Sequence, residues 1–280
     1  MIKIFADTTA CFSLEKAKAL GLVYLPQIIV FGEKTYRDDT ELDTAQFISL
    51  LKSSASLPKT AAPPPALYEP YLKEYATEGN TVIIICPSGA QSGTVRSATV
   101  AAQDFPDADI RVFDSRSIGS GLANMVLKAL EWVNEGLDAD TVMARLESMS
   151  QREDNYFVVD TLEYLHKGGR IGSAQALVGG LLQVKPILTN RGGTAAPVES
   201  QRTHKRAMAR IKEIVFEKCP PTPDSMLGVM HGDAEEIANS LAEELKTHFG
   251  FDKVPVYNLP PAFLVHAGPG VIGISFFNKE

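Results

Sequence analysis

Short apolar runs alternate with amphipathic stretches along the first half of the chain. Residues 2–6, 23–30, 81–86 and 110–113 are apolar runs bounded by polar or turn residues, which predicts strands. The amphipathic stretches between them predict helices at residues 13–20, 43–51, 68–76, 93–102, 119–135 and 139–150. This alternation predicts a doubly wound, mostly parallel α/β sheet that binds ligands at the carboxyl ends of its strands.

The pattern changes after residue 150, which predicts two domains, 1–150 and 151–280. A glycine-containing turn at residues 191–193 lies between two strand-like runs and predicts an antiparallel hairpin. The other predicted strands are 156–159, 226–231, 254–257 and 271–276, and the predicted helices are 162–166, 174–182, 205–216 and 234–249. We therefore expect a C-terminal α/β domain with a mixed or antiparallel sheet.

Composition narrows the function classes. The chain has 280 residues, of which 45% are hydrophobic, and its formal net charge is -7. An acidic chain offers no extended positive field for phosphate backbones, so we expect no nucleic-acid partner. Its cysteines lack metal-ligand or disulfide-framework spacing, and no apolar run suits a signal peptide or a membrane span. We expect a cytoplasmic protein with no metal site, no cofactor and no stable membrane insertion.

A serine-rich loop follows the predicted strand at 81–86 and precedes a helix. Ser88, Ser92 and Thr94 thus lie where hydroxyls and backbone amides meet an anion in open α/β sheets. The loop lacks the lysine of a P-loop, and it does not match the Gly-x-Ser-x-Gly elbow of hydrolases. It could equally be a capping loop whose serines only satisfy helix amides.

Two further segments carry candidate polar groups. His266 precedes a Gly-Pro-Gly sequence, which predicts a shaped turn that directs the imidazole, and a directed imidazole can donate to a carboxylate. Arg170 follows a short helix with Gly168 as its expected left-handed cap, and from that corner it could face a phosphate or a partner protein. Taken alone, each residue is more often structural or solvated than functional.

These segments resemble motifs of the DegV family, in the order found there. They are Ala6-Asp7-Thr8-Thr9, Thr60 in a proline-rich turn, Ser92-Gly93-Thr94, Asp114-Ser115-Arg116-Ser117, LEYLHKGGRI at 162–171, KPIL at 185–188 and HAGPG at 266–270. The resemblance spans nearly the whole chain. It implies a two-domain α/β protein of the DegV-like (EDD) fold that buries a long-chain fatty acid between its domains.

The resemblance also implies site residues and a partner. In the family, the threonine turn, the serine loop and the histidine bind the fatty-acid carboxylate, which here implies Thr60, Ser88, Gly89, Ser92 and His266. In bacterial members a separate fatty-acid kinase brings the ATP and phosphorylates the carboxyl group. Arg170 and Arg202 are then the residues expected to face the acyl phosphate or the kinase.

The chain departs from the family pattern in the threonine turn and the serine loop. Family members usually carry Thr-Ser-Gln-Pro where this chain has Thr60-Ala61-Ala62-Pro63, and a second serine where it has Gly89. These replacements remove side-chain hydrogen-bonding groups from the expected headgroup site. They bear on the number of carboxylate contacts more than on the fold.

The expected interaction energies of a bound fatty acid favour a non-catalytic binding protein. Burial of about 15 methylenes at about 0.8 kcal/mol each gives an upper limit near 12 kcal/mol, whereas a hydrogen bond to a charged group contributes roughly 1.5–3 kcal/mol. The alternative is a lipid or thioester hydrolase with Ser88 or Ser92 as nucleophile and His266 as base. A regulator of gene expression is disfavoured by the acidic charge and by the lack of a DNA-binding motif.

Overall fold

The computed structural model describes residues 1–178 and 184–279. Its strands are β1 (Ile2–Asp7), β2 (Val23–Leu25), β3 (Ile28–Phe31), β4 (Lys34–Arg37), β5 (Lys59–Ala61), β6 (Thr81–Cys86), β7 (Asp109–Asp114), β8 (Glu153–Val158), β9 (Lys185–Arg191), β10 (Thr194–Gln201), β11 (Gly228–His231), β12 (Val256–Asn258) and β13 (Ile272–Phe277). Its α-helices are α1 (Leu14–Ala19), α2 (Thr44–Ser53), α3 (Pro65–Tyr75), α4 (Thr94–Gln103), α5 (Ser120–Asn134), α6 (Ala139–Arg152), α7 (Glu163–Lys167), α8 (His204–Lys218), α9 (Glu235–Phe249) and α10 (Pro261–Ala267).

These elements form two compact units. Unit 1 comprises Met1–Asp43 and Ser54–Gln151, and unit 2 comprises Thr44–Ser53 and Arg152–Glu280. Helix α2 therefore belongs to unit 2, although its sequence lies within the predicted N-terminal domain. None of the helices in the described ranges is both long enough and apolar enough to span a membrane.

Unit 1 contains a parallel sheet with the strand order β2-β1-β6-β7 and a small antiparallel sheet with the order β4-β3-β5. Val82 and Ile84 of β6 are fully buried against α3 and α4, in a cluster that includes Tyr68 and Ala98. Strands buried on both faces are expected in a parallel sheet covered by helices. The predicted parallel α/β sheet is confirmed, and the Ser88–Ser92 loop follows the carboxyl end of β6.

The predicted strand at residues 23–30 is wrong in one respect, because it divides into β2 and β3 of two different sheets. Pro26 stands at the break and has no backbone N–H for a ladder bond. The next amide, that of Gln27, donates instead to the Asp38 carboxylate at 2.8 Å. The chain can therefore leave one sheet and enter the next without an unpaired amide.

Unit 2 contains a mixed sheet with the order β10-β9-β8-β13-β11-β12, in which only the β11–β12 pair is parallel among the described pairings. The hairpin of β9 and β10 and the mixed character of the sheet are as predicted. Helices α8 and α9 pack apolar faces on the sheet, where Ile211, Val215, Leu241 and Leu245 are buried. This face forms the core of the unit.

The predicted apolar helix at residues 174–182 is not an α-helix where the structure describes it. Gly172–Leu177 is a 3-10 helix, and residues 179–183 lie outside the described residues. Val178, which follows this 3-10 helix, has an extended backbone with a ψ of 125°, a conformation that an α-helix does not contain. Sequence reasoning also missed α10 in this unit, whose seven residues begin with Pro261 and follow Pro260 as the N-cap.

Candidate functional site

The serine-rich loop of unit 1 is folded back on Ser88. The Ser88 carbonyl accepts hydrogen bonds from the amides of Gln91 at 3.0 Å and Ser92 at 2.9 Å, and its amide donates to the Ser117 carbonyl at 2.8 Å. Ser88 itself is buried, with 1% exposure, whereas Ser92 is half-buried. The backbone thus holds two serines at the carboxyl end of β6, as the sequence predicts.

Gly89 is held by a carboxylate of the neighbouring strand. Its amide donates to Asp114 Oδ1 at 3.1 Å, and a Cβ added to Gly89 would lie 2.9 Å from Asp114 Oδ2. A serine at this position would require the Asp114 carboxylate to move. The Gly89 amide can serve a bound ligand only if it leaves Asp114.

Thr60 lies in β5, an edge strand, and not in the turn that the sequence predicts. It pairs with Ile29 of β3 and is half-buried. The segment that follows β5 lies beside α4, because Ser97 of that helix donates to the Pro63 carbonyl and Gly93 lies close to Ala62. This packing places Thr60's strand and the start of α4 on the same side of unit 1.

A buried polar network lies beneath the serine loop. Asp7, with 1% exposure, accepts hydrogen bonds from Thr9, Gln27 and Thr94. Burial raises the pKa of Asp7, and these hydrogen bonds oppose the increase. Thr94 in turn contacts Ser92, with 2.9 Å between their hydroxyl oxygens. The network therefore connects a buried carboxyl group to the half-buried serine.

Asp38 is a second carboxyl group in the same region, and its side chain accepts from the Thr8 hydroxyl at 2.9 Å. Burial raises the pKa of Asp38 to about 8. The hydrogen bond from Thr8 acts to lower this pKa, whereas the charge of Asp7 raises it further. Sequence reasoning missed both Asp38 and Gln27. The motif Ala-Asp-Thr-Thr was a signal for Asp7 and Thr8, but no local pattern marked their partners 20 and 30 residues away.

Unit 2 holds a different group of polar residues around His266. This residue lies in the last turn of α10, and not in the turn that the sequence predicts. Burial, together with the charge of Arg170, lowers the pKa of His266 to about 4. The imidazole is consequently neutral at pH 7, where it can still donate one N–H.

Helix α7 approaches this imidazole closely at a glycine. A Cβ added to Gly168 would lie 2.5 Å from His266 Nδ1 and 2.8 Å from the Tyr164 carbonyl oxygen. Gly168 has a φ of -78°, so the prediction that it is a left-handed cap is wrong; Gly169, with a φ of 70°, takes that conformation. Gly168 is needed because there is no room for a side chain.

The two arginines predicted to face phosphate or a kinase differ in their surroundings. Arg170 is half-buried and donates from Nη1 to the Gly168 carbonyl at 2.5 Å, and burial lowers its pKa. Arg202 is exposed and lies immediately after β10. The structure thus places Arg170 beside His266 in unit 2, although the sequence assigned the two residues separate roles.

Comparisons with known proteins decide the family. A family model described as "Uncharacterised protein, DegV family" matches residues 1–279. The chain belongs to the DegV family. Its fold is similar to the crystal structure of DegV, a fatty acid binding protein from Bacillus subtilis, with 35% identity, 99% of each chain covered and a TM-score of 0.84. The predicted family and fold are therefore confirmed.

Two other solved DegV-like structures extend the comparison. A DegV family protein from Thermus thermophilus, described for its fatty acid binding, has a TM-score of 0.90 at 29% identity, with 99% of each chain covered. The Streptococcus pneumoniae Fatty Acid Kinase (Fak) B3 protein, loaded with linoleic acid, has a TM-score of 0.84 at 21% identity, with 100% of each chain covered. The Streptococcus likeness shows a shared fold.

Proposed function

We propose that this DegV-family protein binds a long-chain fatty acid and presents its carboxylate to a separate fatty-acid kinase. The observation that carries the proposal is the 35% identity, over nearly the whole of both chains, to a protein described as fatty acid binding. The description of the Streptococcus protein as part of a fatty-acid kinase supports the partner. Because that partner would supply ATP, the proposal includes a cytoplasmic location.

The proposed carboxylate ligands are hydrogen-bond donors of two kinds. In unit 1 they are the hydroxyls of Thr60, Ser88 and Ser92, with the amide of Gly89 available only when it leaves Asp114. In unit 2 the proposed donor is the neutral imidazole of His266. The uncharged state of these donors supports a role in orienting the ligand, since hydrogen bonds to a charged group contribute roughly 1.5–3 kcal/mol each.

The proposal assigns no catalytic residue to this chain. For the hydrolase alternative, a serine nucleophile needs a base within hydrogen-bonding reach. In the described part of the chain, the Ser92 hydroxyl forms its hydrogen bonds with Thr94 and none with a histidine. This arrangement favours a binding role for Ser92.

Ligand-dependent thermal stability tests the binding function. Delipidated protein should gain stability from palmitate or oleate, because a ligand that binds only the native state stabilises it by about 2.7 kcal/mol at 100 times its dissociation constant. Thr60→Val should weaken binding about 10- to 100-fold. Lys59→Thr on the same strand is the matched control, since neighbouring residues of a strand point to opposite faces. Stabilisation by ATP and none by fatty acid would reject the proposal.

Presentation to the kinase requires a separate measurement. Arg202→Ala should bind fatty acid normally and yet support little acyl-phosphate formation with a reconstituted kinase, because a guanidinium can pair with phosphate. Lys205→Ala, an exposed change three residues away, is the control. Wild-type acyl-phosphate formation by Arg202→Ala would remove Arg202 from this role.

A further inference from the structure

The hydroxyl groups of Ser92 and Thr94 form a chain that ends on Asp7. Thr94 Oγ1 lies 3.1 Å from Asp7 Oδ2 and 2.9 Å from Ser92 Oγ. Gln27 Nε2 donates to both Asp7 Oδ2, at 2.7 Å, and Thr94 Oγ1, at 3.0 Å. Thr94 is buried, with 2% exposure, so no bulk water competes for its hydroxyl.

The directions of these hydrogen bonds follow from counting protons. A threonine hydroxyl has one proton to donate and two lone pairs to accept with. Gln27 occupies one lone pair of Thr94, and an ionised Asp7 can only accept. Thr94 must therefore donate to Asp7 and accept from Ser92.

This direction commits the only proton of the Ser92 hydroxyl. Ser92 donates to Thr94 and accepts from the Thr94 amide at 3.2 Å, which leaves one lone pair for any further partner. A carboxylate also offers only lone pairs. While Asp7 is ionised, Ser92 can thus bind a carboxylate only by giving up its bond to Thr94.

Protonation of Asp7 reverses the chain. The new Asp7 hydroxyl donates to Thr94, whose two lone pairs are then filled by Asp7 and Gln27. Thr94 donates to Ser92, and the Ser92 proton becomes available to a ligand. One proton from solvent binds to Asp7 Oδ2. The hydroxyl groups of Thr94 and Ser92 only rotate, so no other covalent bond to hydrogen forms or breaks in the network.

We propose that Asp7 and Thr94 are positioning residues that make carboxylate binding at Ser92 conditional on the uptake of one proton by Asp7. This inference rests on the proposed fatty-acid function and specifies how its headgroup site works. The affinity for a carboxylate should therefore fall as pH rises.

Other titratable groups that face Asp7 can be separated from it. They are Cys11, Tyr24, Asp38, Tyr68 and Cys86. Burial raises the pKa of each of these thiols and phenols, so they stay neutral at pH 7. Asp38, whose pKa burial raises to about 8, is the competing proton acceptor, but its side chain bonds to Thr8 and the Gln27 amide and not to Thr94.

The test compares dodecanoate affinities from about pH 6.5 to 9.5 by calorimetry on delipidated proteins. Wild-type affinity should fall up to about tenfold per pH unit above the pH at which Asp7 of the ligand-free protein loses its proton. Thr94→Val frees the Ser92 proton at every pH, so its affinity should stay constant and exceed that of wild type about tenfold or more at the alkaline end. Asp38→Asn, the control, should keep the wild-type slope.

Ser92→Ala gives a second readout that does not depend on how well Thr94→Val folds. It should bind weakly at every pH, near the wild-type affinity at the alkaline end. A wild-type slope retained in Thr94→Val or Ser92→Ala, or abolished by Asp38→Asn, overturns the coupling to Asp7. Dodecanoate binding by wild type that is independent of pH overturns this inference alone, whereas no binding of dodecanoate, palmitate or oleate at any pH also overturns the proposed function.

Discussion

Titratable groups of opposite kinds are shielded from water in the two units: carboxylic acids in unit 1 and bases in unit 2. In unit 1 the carboxyl groups of Asp7 and Asp38 are buried, and burial raises the pKa of both. In unit 2 the basic groups of His266 and Arg170 are partly shielded from solvent, and burial lowers the pKa of both. In each case the charged form is disfavoured, as expected where charge is removed from water.

This difference gives the two units opposite responses to pH. A buried acid with a raised pKa stabilises the fold at low pH and less so as pH rises, whereas a buried base with a lowered pKa destabilises it as pH falls. Each unit should therefore limit stability at a different end of the pH range. Replacing one titratable group at a time should remove one of these limits and leave the other.

Replacement of Asp38 should have the largest effect on how stability depends on pH. Its folded pKa of about 8 exceeds the ordinary value of 3.8, so its contribution is complete below about pH 4 and is lost as pH rises through about 8. At about 1.4 kcal/mol per pKa unit, the loss has an upper bound near 6 kcal/mol, of which about 3 kcal/mol falls between pH 6 and 8. Asp38→Asn should abolish that part of the loss in urea unfolding between pH 6 and 9.

The neighbouring Asp39 provides a matched control. Burial acts to raise the pKa of Asp39, but hydrogen bonds from Arg37 and Thr40 outweigh this effect and lower the pKa below 3.8. Asp39 therefore stays ionised between pH 6 and 9, and Asp39→Asn should keep the wild-type slope. Equal slopes for wild type and Asp38→Asn would show that Asp38 is ionised throughout this range.

His266 should give a smaller effect of opposite sign. Its pKa of about 4, against an ordinary value of 6.5, means that the folded protein binds fewer protons than the unfolded chain between these values. Stability should then be complete above about pH 6.5 and fall by up to about 3 kcal/mol as pH decreases to 4. His266→Asn should remove this acid sensitivity in urea unfolding, whereas His166→Asn, at an exposed position, should retain it.

The fold was largely predictable from sequence because most helices and strands have local sequence signals. The apolar run of β6 and the Ser13 cap of α1, which accepts from the Lys16 amide at 3.1 Å, are signals that lie within a few residues. The strands β4 and β5 were missed since Lys34–Arg37 and Lys59–Ala61 carry mostly polar or small side chains. Their pairing with β3 depends on contacts that no local pattern encodes.

Sequence motifs indicated single candidate residues but not the hydrogen bonds that connect them. Motifs pointed to Asp7, Ser92 and His266, yet Gln27 follows a proline in an unremarkable apolar run. Gln27 matters only because the fold places its side chain between Asp7 and Thr94, which are 87 residues apart. Such a bridge arises from tertiary structure and leaves no spacing to recognise.

The smallest effect should come from the glycine beside His266, and it tests whether close packing keeps the imidazole buried. Gly168→Ala places a methyl group against His266 and the Tyr164 carbonyl, so it should cost about 1–3 kcal/mol and push the ring toward water. The pKa of His266, followed by NMR titration, should then rise toward 6.5 because burial is the main cause of its decrease. Gly169→Ala is the control: it should cost about 1–2 kcal/mol from its left-handed backbone, but it meets no atom within 4 Å among the described residues and should leave the His266 pKa unchanged. An unchanged pKa in Gly168→Ala would mean that the ring stays buried without the close approach of α7.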